Sequence, residues 1–277
     1  MKRSTATRIP GRPSRGRSRF GYDRFWRSVA APSALEHDVS YWFQTRRPIP
    51  SLIFILPLIA AYEIGVATIG GTSADALRTG ADSWMRGALS RIGLRDRWLP
   101  PLALVASMLA WQVFRSESWR FRPRCLLGML GESLIFAVAL VGLSRVVELG
   151  FAKLDGGSLL ETSSRLSLAT VVGYVGAGVY EEALFRLALI PLLYGAARLI
   201  HAPKVLAGTL AVTASALLFS LAHHAGAPGE AFTLFAFIFR WMAGIGFGWI
   251  FLARGFGVAV GTHAAYDVLV GWVGLHF

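Results

Sequence analysis

Residues 166–186 read LSLATVVGYVGAGVYEEALFR, an apolar run broken near its end by two adjacent carboxylates, Glu181 and Glu182, and by Arg186. The run is continuous rather than alternating, which selects a helix over a barrel strand. In a bilayer an ionisable side chain costs at least about 2.5 kcal/mol by insertion scales, so such residues face a bundle interior or a wet cavity and belong to a site. Glu182 and Arg186 stand at i and i+4 on one helical face, where they can neutralise each other as a structural ion pair. Glu181 lies about 100° round the helix without a local partner, which makes it the candidate for a reactive carboxylate.

Runs of the same character recur along the chain. Of its 277 residues 54% are hydrophobic and only 16% charged, the composition of an integral membrane protein rather than a soluble domain. A crossing helix needs roughly 20 apolar residues. Such runs are expected at 50–70 (with Glu63), 98–114, 125–149 (with Glu132, Arg145 and Glu148 toward its ends), 166–186, 205–223, 231–253 (with Arg240) and 255–274 (with His263 and Asp267). Residues 187–200 are short for a crossing and contain Pro191, so a re-entrant or interfacial helix is the alternative there. The fold class is thus all-α, a polytopic transmembrane helical bundle. It has about eight spans, or seven plus a re-entrant helix, with a catalytic core in the last four to five helices. Between the first two spans, Leu77, Trp84, Met85, Leu89 and Ile92 alternate with Arg78, Arg86 and Arg91, which predicts an interfacial helix near 74–93. The organisation reads as a basic tail (1–47), variable N-terminal transmembrane helices (48–160) and a catalytic transmembrane core (161–277).

The formal charge of +12 comes largely from the tail, where residues 1–47 hold eleven Lys or Arg against three acidic residues. Basic residues beside a first span stay cytoplasmic and are drawn to anionic lipid, so the charge speaks for membrane topology and not for nucleic acid. Trp26, Trp42 and Phe43 fit a segment on the membrane surface. The expectation is a multi-pass protein of the cell's inner (plasma) membrane with a cytoplasmic N-terminus. No signal peptide is expected, because the first apolar run begins only after Pro50. Cys125 is the single cysteine, which excludes an internal disulfide and a multi-cysteine metal site.

Three groups in three helices draw attention together. They are Glu181 and Glu182 with Arg186, Phe219 with His223, and His263 with Asp267. The closing residue of each is four positions from its partner, so His263 and Asp267 share a face and can act on one ligand atom. Singly, a histidine in a membrane helix is explained by a hydrogen bond to a nearby carbonyl; jointly, these residues make up most of the deeply placed ionisable groups in the C-terminal half.

The pattern EExxxR, FxxxH and HxxxD, over about 165–275, resembles the CPBP family, the CAAX-prenyl-protease and bacteriocin-processing intramembrane endopeptidases also called Abi proteins. The resemblance implies a metal-independent glutamic endopeptidase acting on a membrane-associated peptide or protein, such as a CAAX tail, a leader peptide or a sorting signal. It implies that Glu181 and His223 activate the nucleophilic water and that His263 and Asp267 line the oxyanion position, with Glu182, Arg186 and Phe219 in support. A desolvated carboxylate next to another suits a general base. An ionised Asp267 cannot donate to an oxyanion, so it is either protonated or orients His263. No cofactor is expected, and the partners are the substrate and the lipid bilayer. Two alternatives stay open. A zinc peptidase could use Glu181, His223 and His263, although no HExxH is present, and a proton-coupled transporter or membrane scaffold could hold the same buried acids. Aspartyl and rhomboid-type proteases lack their GxGD and GxSG motifs here.

Overall fold

The computed structural model describes residues 40–71, 77–155, 161–162, 166–225, 231–273 and 275–276. Most of the basic tail, 1–39, lies outside the described residues, as does most of the connection 156–165. A short helix α1 (Tyr41–Gln44) leads into α2 (Pro48–Ile69), where Pro48 occupies the first turn, a position that needs no N–H. A helix α3 (Gly80–Arg91) follows, capped by the Thr79 side chain, which accepts from the Asp82 N–H. Pro100 and Pro101 open α4 (Leu99–Arg115), and α5 (Arg124–Asp155) is the longest uninterrupted α-helix among the described residues.

Ser167 caps α6 (Leu168–Glu182), which passes without a break into a π-helical stretch, Ala183–Leu189, and then α7 (Ile190–Leu199). The bundle is completed by α8 (Lys204–Ala222), α9 (Leu234–Arg254, capped by Thr233) and α10 (Phe256–Val273). Glu161–Thr162 and Leu275–His276 form a two-residue antiparallel pairing; among the described residues all other regular structure is helical. Among the described residues, four helices are long and apolar enough to cross a membrane: Pro48–Ile69, Arg124–Phe151, Lys204–Ala222 and Leu234–Arg254. Shorter apolar α4 accompanies them.

The α6–α7 continuity resolves residues 187–200. They are not a separate re-entrant piece but the second half of a helical segment about 48 Å long at the α-helical rise, with both glutamates near its middle. Pro191 has no N–H, and its ring crowds the carbonyl one turn back. The wide turns of Ala183–Leu189 lie just before it and accommodate it without breaking the helix.

Helix α10 is the hub, packing against α5, α6, α2 and α9, while α8 is held by α9 and α7. The approach to α6 is close because Gly178 faces Ala264; a Cβ at Gly178 would stand 2.7 Å from the Ala264 backbone nitrogen. Gly244 and Gly248 of α9 likewise meet Ala216 and Val212 of α8, whereas Gly246 is loosely packed. Gly255, at φ +96°, turns α9 into α10 against the Thr45 carbonyl, where a Cβ would clash. Nearby, Arg254 makes a bidentate ion pair with Glu132 of α5 and lies 3.7 Å over the Trp42 ring. The N-terminal segment is thereby stitched to the C-terminal core.

Candidate active site

The two adjacent glutamates are handled very differently. Glu182 is fully buried, and its Oε1 takes two partners: the Arg186 Nη1 at 2.9 Å and the His263 Nδ1, which donates at 2.7 Å. The Arg186 Nη2 donates onward to the Gly244 carbonyl at 3.3 Å, so one guanidinium links α6 to α9 while its carboxylate partner reaches α10. Glu182 therefore does more than balance Arg186: it fixes the ring of His263.

Glu181, 14% exposed at its side chain, points into the space between two imidazoles. Its Oε2 is 3.8 Å from the His223 Nε2 and 3.8 Å from the His263 Nε2, and has no direct hydrogen-bond partner. Both rings present the same nitrogen for the same reason. The His223 Nδ1 donates to the Phe219 carbonyl in the last turn of α8 at 2.9 Å, and the His263 Nδ1 donates to Glu182. A ring whose Nδ1 is committed to an acceptor turns its Nε2 to the site in a defined state. Asp267, one turn beyond His263, places Oδ2 3.6 Å from that same Nε2. It thus stands on the Nε2 side of His263, whereas Glu182 holds the Nδ1 side.

Aromatic rings wall the cluster. The Phe219 ring lies 4.4 Å under the Arg186 guanidinium and meets His223, His263 and Phe185 edge-on. Phe247 of α9 stacks on His263 with 4.6 Å between centroids and 14° between planes. Exposure grades across the site: Glu181, His223 and Asp267 are 14%, 24% and 20% exposed at their side chains, against 0%, 1% and 5% for Glu182, Arg186 and His263. One face is reachable and the other is sealed.

All seven residues singled out in the sequence, Glu181, Glu182, Arg186, Phe219, His223, His263 and Asp267, lie in this one cluster. His224 packs against Phe232 and Phe237 instead, and Arg240, 9% exposed on α9, interacts electrostatically with Asp267 and Tyr266. Phe247 and Gly178 were not singled out, since an aromatic and a glycine in an apolar helix look like ordinary packing. Among the described residues, no group of three or more His, Cys, Asp or Glu side chains is arranged to hold a metal ion.

Residues 163–269 match the family model described as "Rce1-like: Type II CAAX prenyl endopeptidase Rce1-like". No curated protein and no solved structure matches the chain.

Proposed function

We propose, for a chain whose residues 163–269 belong to the Rce1-like family of CAAX-type membrane endopeptidases, that peptide-bond hydrolysis runs through a Glu181–His223 pair acting on one water. The observation that carries this reading is the pair of 3.8 Å separations from the Glu181 Oε2 to the Nε2 atoms of His223 and His263. They are too long for direct hydrogen bonds and suit groups bridged through a shared water. Glu181 accepts a proton from the water while the His223 Nε2 lone pair accepts its other hydrogen, which aims the oxygen at a scissile carbonyl. The proton held on Glu181 then passes to the leaving amine.

As the carbonyl oxygen gains charge, His263 in its imidazolium form donates from Nε2 to that oxyanion while its Nδ1 remains on Glu182. Glu182 and Arg186 keep this ring in place from the sealed side. Asp267, protonated, is a second donor within reach of the same oxygen. The substrate is a membrane-associated peptide or protein that enters by the face where Glu181, His223 and Asp267 are exposed, and its processing is of the CAAX, leader-peptide or sorting-signal kind. The protein acts from the inner (plasma) membrane with its basic tail on the cytoplasmic side.

The test is quantitative proteomics on membranes from cells carrying the intact chain or Glu181→Gln, at equal expression. A shortened protein present with the intact chain and replaced by its full-length form with Glu181→Gln is expected. A pH-dependent uptake defect with no change in any protein's length would overturn hydrolysis in favour of transport.

A further inference from the structure

A second group of ionisable side chains lies on the opposite flank of α6. Tyr180, the neighbour of Glu181, donates its hydroxyl to the Glu63 Oε1 of α2 at 2.6 Å. Arg86 of α3 reaches the same Glu63 oxygen at 3.3 Å and the Asp82 Oδ1 at 2.8 Å. Arg78 pairs with the Asp82 Oδ2 at 2.8 Å, and Tyr62 donates to that oxygen at 3.0 Å. Two carboxylates and two guanidiniums neutralise one another here, and Asp82 is fully buried. The network is a rigid floor.

Over it opens a cavity of about 460 Å3, whose walls include Arg78, Arg86, Arg95, Arg97, Asp96 and Ser90. We propose that this cavity binds the phosphodiester headgroup of an anionic membrane lipid. Charge is the first argument. Arg78 and Arg86 are matched by Asp82 and Glu63, which leaves Arg95 and Arg97 against Asp96, a surplus of one positive charge for the single negative charge of a phosphodiester. Asp96 is exposed, its Oδ1 accepting the Trp98 N–H at 2.8 Å, and the Arg97 guanidinium lies 5.2 Å over the Trp98 ring. Arg95 is exposed.

Position is the second argument. Residues 70–98 connect the end of α2 to the start of α4, both apolar helices, so the cavity sits where the apolar bundle meets water. Trp84 and Trp98 around it are 43% and 45% exposed, beside exposed Ile92 and Leu94. Tryptophan on such a rim marks the headgroup layer, and an amphipathic helix such as α3 lies in that plane. Size is the third. The volume is many times the roughly 30 Å3 share of one water, room for a headgroup rather than a bare ion. The same guanidiniums would serve any phosphate, but the aromatic and aliphatic rim favours one attached to acyl chains over free phosphate or an acidic peptide.

The test uses the full chain purified in a neutral detergent. Its unfolding midpoint is followed while dihexanoyl phosphatidylglycerol, dihexanoyl phosphatidylcholine or inorganic phosphate is added. Variants are Arg95→Gln/Arg97→Gln, and Arg120→Gln/Arg124→Gln as a control that removes two exposed arginines elsewhere. Phosphatidylglycerol is expected to raise the midpoint by about 5 °C in the parent and the control, and to lose this effect in Arg95→Gln/Arg97→Gln. Phosphatidylcholine and inorganic phosphate are expected to give no comparable rise. Arg95→Glu, at an exposed side chain, serves should the double variant not fold, and is expected to lose the rise as well. An equal rise in the Arg95 variants, or one reproduced by phosphatidylcholine or by inorganic phosphate, would overturn the proposal.

Discussion

The Oε1 of Glu182 and the Nδ1 of His263, 81 residues apart in the chain, are joined by a 2.7 Å hydrogen bond with almost no access to solvent. On the proposed mechanism this bond makes the second glutamate of the pair a positioning residue for His263 and leaves the first free to react. Substituting one or the other should therefore separate two kinds of damage.

Glu181→Gln removes the proton acceptor from an oxygen that forms no direct hydrogen bond in the structure. Turnover should fall by about 10²–10⁴, the usual worth of a general base. The unfolding midpoint should be unchanged or slightly higher, since a like-charged neighbour of Glu182 is removed. A marked loss of stability would show that Glu181 is part of the scaffold.

Arg186→Met strips the buried Glu182 carboxylate of its guanidinium partner and leaves it only His263, and loss of one partner of a buried pair costs about 3–5 kcal/mol. Low yield and a lowered unfolding midpoint are expected. Adding Glu182→Gln should recover much of that stability, because the amide needs no counter-charge, while cleavage stays impaired through His263. A double variant no more stable than Arg186→Met would show that the two side chains are not energetically coupled.

Gly178→Ala puts a methyl group 2.7 Å from a backbone nitrogen of α10, in the residue that follows His263. Since backbone cannot yield as a flexible side chain does, α6 and α10 must part by several tenths of an ångström. A stability loss of about 1–3 kcal/mol is expected. Turnover should drop more than KM rises, as the Glu181 to His263 distance opens. Measured kcat and KM on the folded fraction decide this.

Hydrolysis through a Glu181–His223 pair acting on one water, as proposed, needs no metal ion. Cleavage by the purified protein should therefore persist after dialysis against EDTA or 1,10-phenanthroline, and added zinc should not raise it. Loss of activity on chelation with recovery on zinc would return the site to a metallopeptidase.

Much of this arrangement could be read from residue types alone because a membrane segment is a quiet background. Glu181, His223, His263 and Asp267 stand out in apolar helices, and four-residue spacings put paired groups on one face. What spacing could not convey is what crosses between helices. Glu182 and Arg186 satisfy each other locally, so nothing in their sequence points to His263 or to the Gly244 carbonyl as further partners. The network of Glu63 with Arg78, Arg86 and Tyr180 joins three stretches of chain, and Glu63 alone looked like a stray acid in the first span. The continuity from Leu168 to Leu199 was hidden by Pro191 and by charges at mid-length, which normally mark helix ends.

The π-helical stretch between Glu182 and Ile190 has an effect on heritable change in this chain. Wide turns carry a surplus of backbone relative to an α-helix, so deleting a single residue after Arg186, within 187–189, would let them tighten to α-helical geometry and leave everything downstream close to its present heading. Tyr194 would stay packed inside and Leu192 exposed, while Glu181 upstream kept its place. Length in this segment is thus under looser control than in a plain α-helix, where one lost residue turns all that follows by about 100°: a shortened copy would keep every motif letter and still seat the half-helix against which α8, bearer of His223, is docked.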